Sequence, residues 1–170
     1  ILDSAQCIAS VRNIKAGLIL GGESSAGLVS CRVNGQWSAP SFFTMGGAKL
    51  GLLIGGQVSD NVLVFLSDTA RSRLDKASFY LGTDLSFAVG PVGSGGGGSI
   101  LPRVDVLVYS AGKGLYAGFS IDGTIMSHQN TWNGEVYGSG SSSATVLKTE
   151  GTKAPVLVKP YIDALGHYAP

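Results

Sequence analysis

Charge is scarce in this chain of 170 residues. Only 14% of them are charged, against about 25% in an average soluble domain, and the formal net charge is +1. That balance excludes bulk nucleic-acid binding, which needs a dense basic face. Any electrostatic site has to come from local clustering. Cysteine and histidine are scarcer still, at two each. Cys7, Cys31, His128 and His167 lack the number and spacing of a zinc site, so no metal and no cofactor is expected. No apolar run reaches the ~18 residues of a membrane-spanning helix. A start methionine and a signal-peptide pattern are missing too, and their absence predicts a mature or trimmed form.

Apolar side chains and glycine are abundant instead, at 44% hydrophobic residues and 26 glycines. The length suits one domain over residues 1–170 with its own core. Glycines recur inside apolar segments such as "AGLILGG", "KLGLLIGG" and "YAGFSIDG". In strands they mark bends, bulges or close backbone approach, which predicts a strongly curved antiparallel sheet. "GPVGSGGGGS" at 90–99 contains G-x-G-x-x-G. The strand-like "ILPRVDVLVYS" follows it where a dinucleotide site needs a helix, so the stretch is expected to be a ligand-free connection.

The apolar runs "CIASV", "AGLVSCRV", "WSAPSFFTMGG", "NVLVFLS", "SFYLG", "LSFAVG", "VDVLVYS" and "LYAGFSIDGTIM" read as strands. They are apolar at nearly every position, as expected when both faces of a sheet are covered. Asn34-Gly35 and Asp122-Gly123 are hairpin signals. "SDTARSRLDKA" reads as a polar helix capped by Ser67 or Asp68. "NTWNGEVYG", "SSSATVLKTEG" and "KPYIDALGHY" read as helices or turns at the end, the last with Pro160 near its first position. The order of elements predicts an α+β fold, with a mainly antiparallel, barrel-like sheet, one mid-chain helix and C-terminal helices.

Catalytic signals are weak. "GESSA" at 22–26 resembles a serine elbow only superficially, because its last position is alanine and no helix follows. The acidic residues are scattered, and no serine or carboxylate is expected in a polar pocket with a histidine. No enzyme is predicted. The cations are more suggestive. Arg12 and Lys15 flank a turn, Arg32 ends a strand, Arg71, Arg73 and Lys76 share a short helix, and Lys113 lies in "SAGKGL". Clustered in three dimensions they would hold phosphate groups; singly they are solvated surface. Trp37, Phe42 and Phe43 are candidate membrane-contact aromatics, with the core as the competing assignment. Cys7 and Cys31 are either two buried thiols or a disulfide between adjacent strands, the latter in an oxidising compartment.

Several segments taken together carry a family resemblance. They include Lys15-Ala16-Gly17, Arg32 ending a strand, Trp37-Ser38-Ala39-Pro40, Ser59-Asp60 and the strand end Gly90 to Gly93. Tyr109 to Gly118 and Asn130 or Asn133 with Tyr137-Gly138 complete the series in order. In this the chain resembles the SYLF domain family, a lipid-binding module of eukaryotes and bacteria. The resemblance implies a non-enzymatic domain whose partner is an anionic phospholipid or membrane surface. Lys15, Arg32 and Lys113 match family positions, and some fungal members also bind actin filaments. The alternative is a structural or protein-interaction module of the bacterial cell envelope without a headgroup site, its protein partner unknown. Bacterial members usually stand alone behind an export or lipoprotein signal, so an exported, periplasmic or outer-membrane-associated protein is expected, with a cytoplasmic membrane-peripheral one as the alternative. Three departures stand out. The family's largely helical N-terminal region has no counterpart here. Gln6 replaces a lysine, and Ser94 stands where many members have arginine.

Overall fold

The computed structural model describes residues 1–16, 22–46, 57–89, 103–111 and 123–170. The glycine stretch at 90–99, most of "AGLILGG" and "KLGLLIGG", and Lys113 fall outside the described residues. The described strands are β1 (Cys7–Ala16), β2 (Gly22–Val33), β3 (Gln36–Trp37), β4 (Ser41–Gly46), β5 (Gln57–Phe65), β6 (Ser78–Tyr80), β7 (Phe87–Val89), β8 (Val106–Ala111) and β9 (Ile125–His128). Helices are α1 (Asp68–Arg73), α2 (Asn130–Tyr137), α3 (Ser143–Val146) and α4 (Lys159–Tyr168). The fold is α+β, with one mid-chain helix and the others after the sheet.

The strands form one sheet in the order β6-β9-β4-β2-β1-β5-β8-β7, with β3 paired to β2 off this path. Among the described pairs only β7 with β8 is parallel. β1 and β2 run as a long ladder from Cys7 opposite Cys31 to Ala16 opposite Gly22. The sheet is strongly curled. Phe65 of β5 and Phe79 of β6 stand five strands apart along the path, which a flat sheet would hold about 24 Å apart. Their rings pack edge to face at 6.4 Å. A bridge between Leu81 and Leu85 also draws the β6 end of the path to the β7 end.

Alternation along the strands sorts side chains to two covered faces. Inside the curl, Cys7, Ala9, Val11, Val29, Phe43, Leu63, Phe65, Val106, Val108 and Met126 pack with Ala70 and Leu74 of the α1 segment. Outside it, Ile8, Val64 and Leu107 pack under Leu165 and Ala169, around α4. Ala39 and Phe42 pack against Val136, Tyr137, Val146 and Val158. Burial on both faces explains why the strands read as continuous apolar runs. Gly27 is required by packing: it lies opposite both Val11 and Phe43, and a Cβ there would meet the Ser10 carbonyl and come within 2.8 Å of Phe43 Cζ.

Cys7 and Cys31, directly paired across β1 and β2, form a disulfide. Trp37 and Phe43 are corrected from the membrane-contact assignment. Phe43 is 0% exposed inside the curl and Trp37 is 5% exposed under α4, so neither presents a surface to a bilayer.

Candidate functional site

Among the described residues, two clefts lie near opposite ends of α4. At the C-terminal end, Trp37 Nε1 donates to the Ala169 carbonyl at 2.8 Å. Arg32 stacks on the Trp37 ring, 4.0 Å from its centroid. Through Nη2 it also donates to the carbonyls of Ala169 and Pro170, both at 3.0 Å. β2 carries Arg32 there because the residue before it, Cys31, is fixed to Cys7. Arg71 faces the same cleft from α1. Ser67 sets the start of that helix, since its hydroxyl accepts from Ala70 N and donates to Asp105. Burial pushes the Asp105 pKa up, but hydrogen bonds from Ser67 and Ser86 outweigh it and hold the carboxyl below its ordinary value. The cleft measures about 470 Å³ and is lined by Asp3, Gln6, Arg32, Gly35, Arg71 and Pro170, among others. Gln6 turns its amide to Asp68 at 2.7 Å, and Arg71 pairs with Asp75 at 3.1 Å.

Of the other predicted cations, Arg12, Arg73 and Lys76 do not line this cleft. Arg12 sits five residues along β1 from the disulfide, roughly 17 Å away along the strand. It makes a two-pronged contact with Asp60 on β5, at 2.8 and 3.2 Å. This contact raises the Arg12 pKa and lowers that of Asp60. Lys15 lies farther along the same strand, in register with Glu23 and Gln57; its side chain, like the whole of Lys113, is outside the described residues. Arg73 and Lys76 follow Arg71 in sequence but do not line the cleft. The predicted cations whose side chains are described therefore distribute along the molecule, and of these Arg32 and Arg71 line one cleft.

The second surface lies at the N-terminal end of α4. A groove of about 400 Å³ is lined by Ala26, Gly27, Leu28, Phe42, Trp132, Glu135, Val136 and Leu157. Phe42 is half-buried and meets Trp132 edge to face at 6.4 Å. Beside the groove, the 3-10 turn Val156–Val158 exposes Val156 (80%) and Leu157 (73%), and Trp132 is 38% exposed. The sequence reading missed this surface, although "KAPVLVK" at 153–159 carries a signal for it. Pro155 and Pro160 bound three aliphatics in a segment too short to bury them all.

Ser41, His128 and Asn133 form a buried polar cluster that the sequence reading did not expect. Ser41 Oγ lies 3.3 Å from His128 Nδ1, and Asn133 Nδ2 donates to Ser41 Oγ at 3.0 Å. Asn133 Oδ1 accepts from Phe42 N at 2.9 Å. All three side chains are buried and none lines either cleft, so the cluster ties α2 to β4 and β9. Among the described residues no group of three metal-ligating side chains comes together, and no helix is long and apolar enough to cross a membrane.

A family model described as Ysc84, "Las17-binding protein actin regulator", matches residues 46–168. An SH3 domain-containing protein of Schizosaccharomyces pombe is 34% identical over 81% of this chain and 33% of its own length. Protein YSC84 of Saccharomyces cerevisiae is 31% identical over 97% of this chain and 36% of its own length. The human SH3 domain-containing YSC84-like protein 1 is 33% identical over 81% of this chain and 41% of its own length. This chain thus spans between a third and about two-fifths of these relatives. No solved structure matches it. With the family model covering well over half of its residues, the chain belongs to the Ysc84 family, that of the SYLF domain.

Proposed function

We propose that this chain is a non-catalytic module that binds phosphate-bearing, anionic lipid at a membrane surface. The cleft shared by Arg32 and Arg71 carries the reading. A guanidinium matches two oxygens of a phosphate at once. Arg32 is held in place by the Trp37 ring and two carbonyls, so little side-chain entropy remains to be lost on binding. Arg71 has only a partly exposed carboxylate partner, a weak contact that a phosphate can replace. Gln6, at the position where the family has a lysine, lines the same cleft. The family description and the relatives' names speak of binding and regulation, which supports a module without a reaction of its own. The Cys7–Cys31 disulfide supports an oxidising location, exported and envelope-associated.

A second reading has its own observation. The apolar groove beside Trp132 suits a protein segment, and the family description names Las17 binding and actin regulation.

Co-sedimentation with vesicles of phosphatidylcholine, alone or with phosphatidylserine, tests the first reading. The intact chain is expected to pellet with the anionic vesicles, and Arg71→Gln to weaken that binding about tenfold. Equal behaviour of wild type and Arg71→Gln would remove the cleft from the account.

A further inference from the structure

The turn between Pro155 and Pro160 has a shape and charge that the cleft does not explain. Val156 and Leu157 are the most exposed large aliphatic residues among those described, at 80% and 73%. They are consecutive on a 3-10 turn, so their side chains diverge and make a protruding wedge. Lysines flank the wedge on both sides, Lys153 and Lys159, both exposed. Trp132 stands next to it, perpendicular to the Phe42 ring and with over a third of its surface in solvent.

We propose that this wedge inserts into the interfacial layer of an anionic bilayer, with Trp132 at headgroup depth and Lys153 and Lys159 against the lipid phosphates. The inference rests on the membrane reading above and names a second contact for it. Exposed adjacent aliphatics are costly in water and favourable at the acyl boundary. Tryptophan is suited to the interface, because its ring is apolar and its N–H polar. Lysine stems lie along the apolar layer while their ammonium groups reach the phosphates. Acidic groups are near: Glu150 lies 3.9 Å from Lys153, Glu135 lines the groove and Asp163 is on α4. None of them falls between the two lysines. A protein segment seated in the groove would cover Leu157 but not Val156, which is outside the lining. A bilayer covers both. α4 has ten residues and spans about 15 Å, which sets the distance between the wedge at its start and the arginine cleft at its end.

The test measures binding of the full chain to equimolar phosphatidylcholine–phosphatidylserine vesicles. The double change Val156→Ser with Leu157→Ser is expected to weaken binding at least about tenfold. Lys153→Gln and Lys159→Gln are each expected to weaken it about fivefold at low ionic strength and less at high. All four side chains are exposed, so the variants should keep the wild-type circular dichroism. Independently of any variant, vesicles containing brominated lipid should quench wild-type fluorescence on binding, and Trp132→Phe should remove most of that quenching. Unchanged binding by the Val156/Leu157 variant, with anionic binding still lost in Arg71→Gln, would overturn the wedge and leave the cleft standing. Vesicle binding without quenching at Trp132 would overturn it as well. A wild-type chain that ignores all vesicles would overturn both.

Discussion

Burial lowers the pKa of His128 in the folded chain, a push that the Leu74 and Phe42 backbone groups and Asp75 only partly oppose. Once unfolded it takes up a proton near its ordinary value of 6.5. Between the two pKa values the unfolded state therefore holds more protons, and stability falls as the pH drops below about 6.5. The expected result is a lower Tm at about pH 5 than at pH 7, with a smaller difference in His128→Gln; identical differences in both proteins would count against the assignment. Gly27 makes a second prediction at this scale. A methyl group there meets the Ser10 carbonyl and the Phe43 ring, and backbone cannot move aside as a side chain can. Gly27→Ala should cost about 1–3 kcal/mol in urea unfolding, and a neutral result would contradict the packing described. Single residues were the least legible feature of the sequence. Trp37, Phe42 and Phe43 look alike as aromatics in one strand region, yet alternation sends Phe43 inward and Phe42 outward, and α4 covers Trp37. Arg32 was legible as a cation, but not as the clamp on Ala169 and Pro170, because its partners lie 137 and 138 residues away.

Elements were read more easily, because their signals are local. Ser67 caps α1 and proline opens α4, where the sequence places them, and Ser142 caps α3. Asn34 and Gly35 both take positive φ at the β2–β3 turn. Strand lengths were less evident: β1 and β2 run well beyond their apolar cores, carried by pairing that outlasts hydrophobic patterning. The surface turn at Val156–Val158 went unread, since three aliphatics in sequence look like core until the packing shows otherwise. Two predictions belong here. The disulfide closes a separation of 24 residues, worth about 3 kcal/mol. Replacing both cysteines by alanine should lower the Tm by roughly 10 °C, and an unchanged Tm would contradict a staple at the β1–β2 end. Ser67→Ala removes a helix cap and a hydrogen bond to Asp105 together. It should destabilise by about 1–2 kcal/mol, read as a lower urea midpoint at unchanged slope.

At the scale of the whole molecule, the described strands form a curled sheet covered on both faces. The family supports a membrane-binding or protein-interaction module, and among the described residues α4 links the two surfaces proposed for contact: two arginines at one end, a lysine-flanked apolar wedge at the other. The fold class followed from the order of apolar runs and caps. Where the cations sit did not, because their separation is set by strand register across β1, β2 and β5 and by α1, which no local pattern encodes. The disulfide adds a test of compartment. Thiol alkylation under acid quench, on protein drawn directly from its cells, should leave Cys7 and Cys31 unlabelled, and labelling of both would place the protein in a reducing compartment. The most direct measurement of the central claim is the partition of the intact chain between buffer and vesicles as phosphatidylserine content and salt are varied. Binding that rises with anionic lipid and weakens with salt is the predicted result; binding that is absent, or indifferent to both, would contradict it.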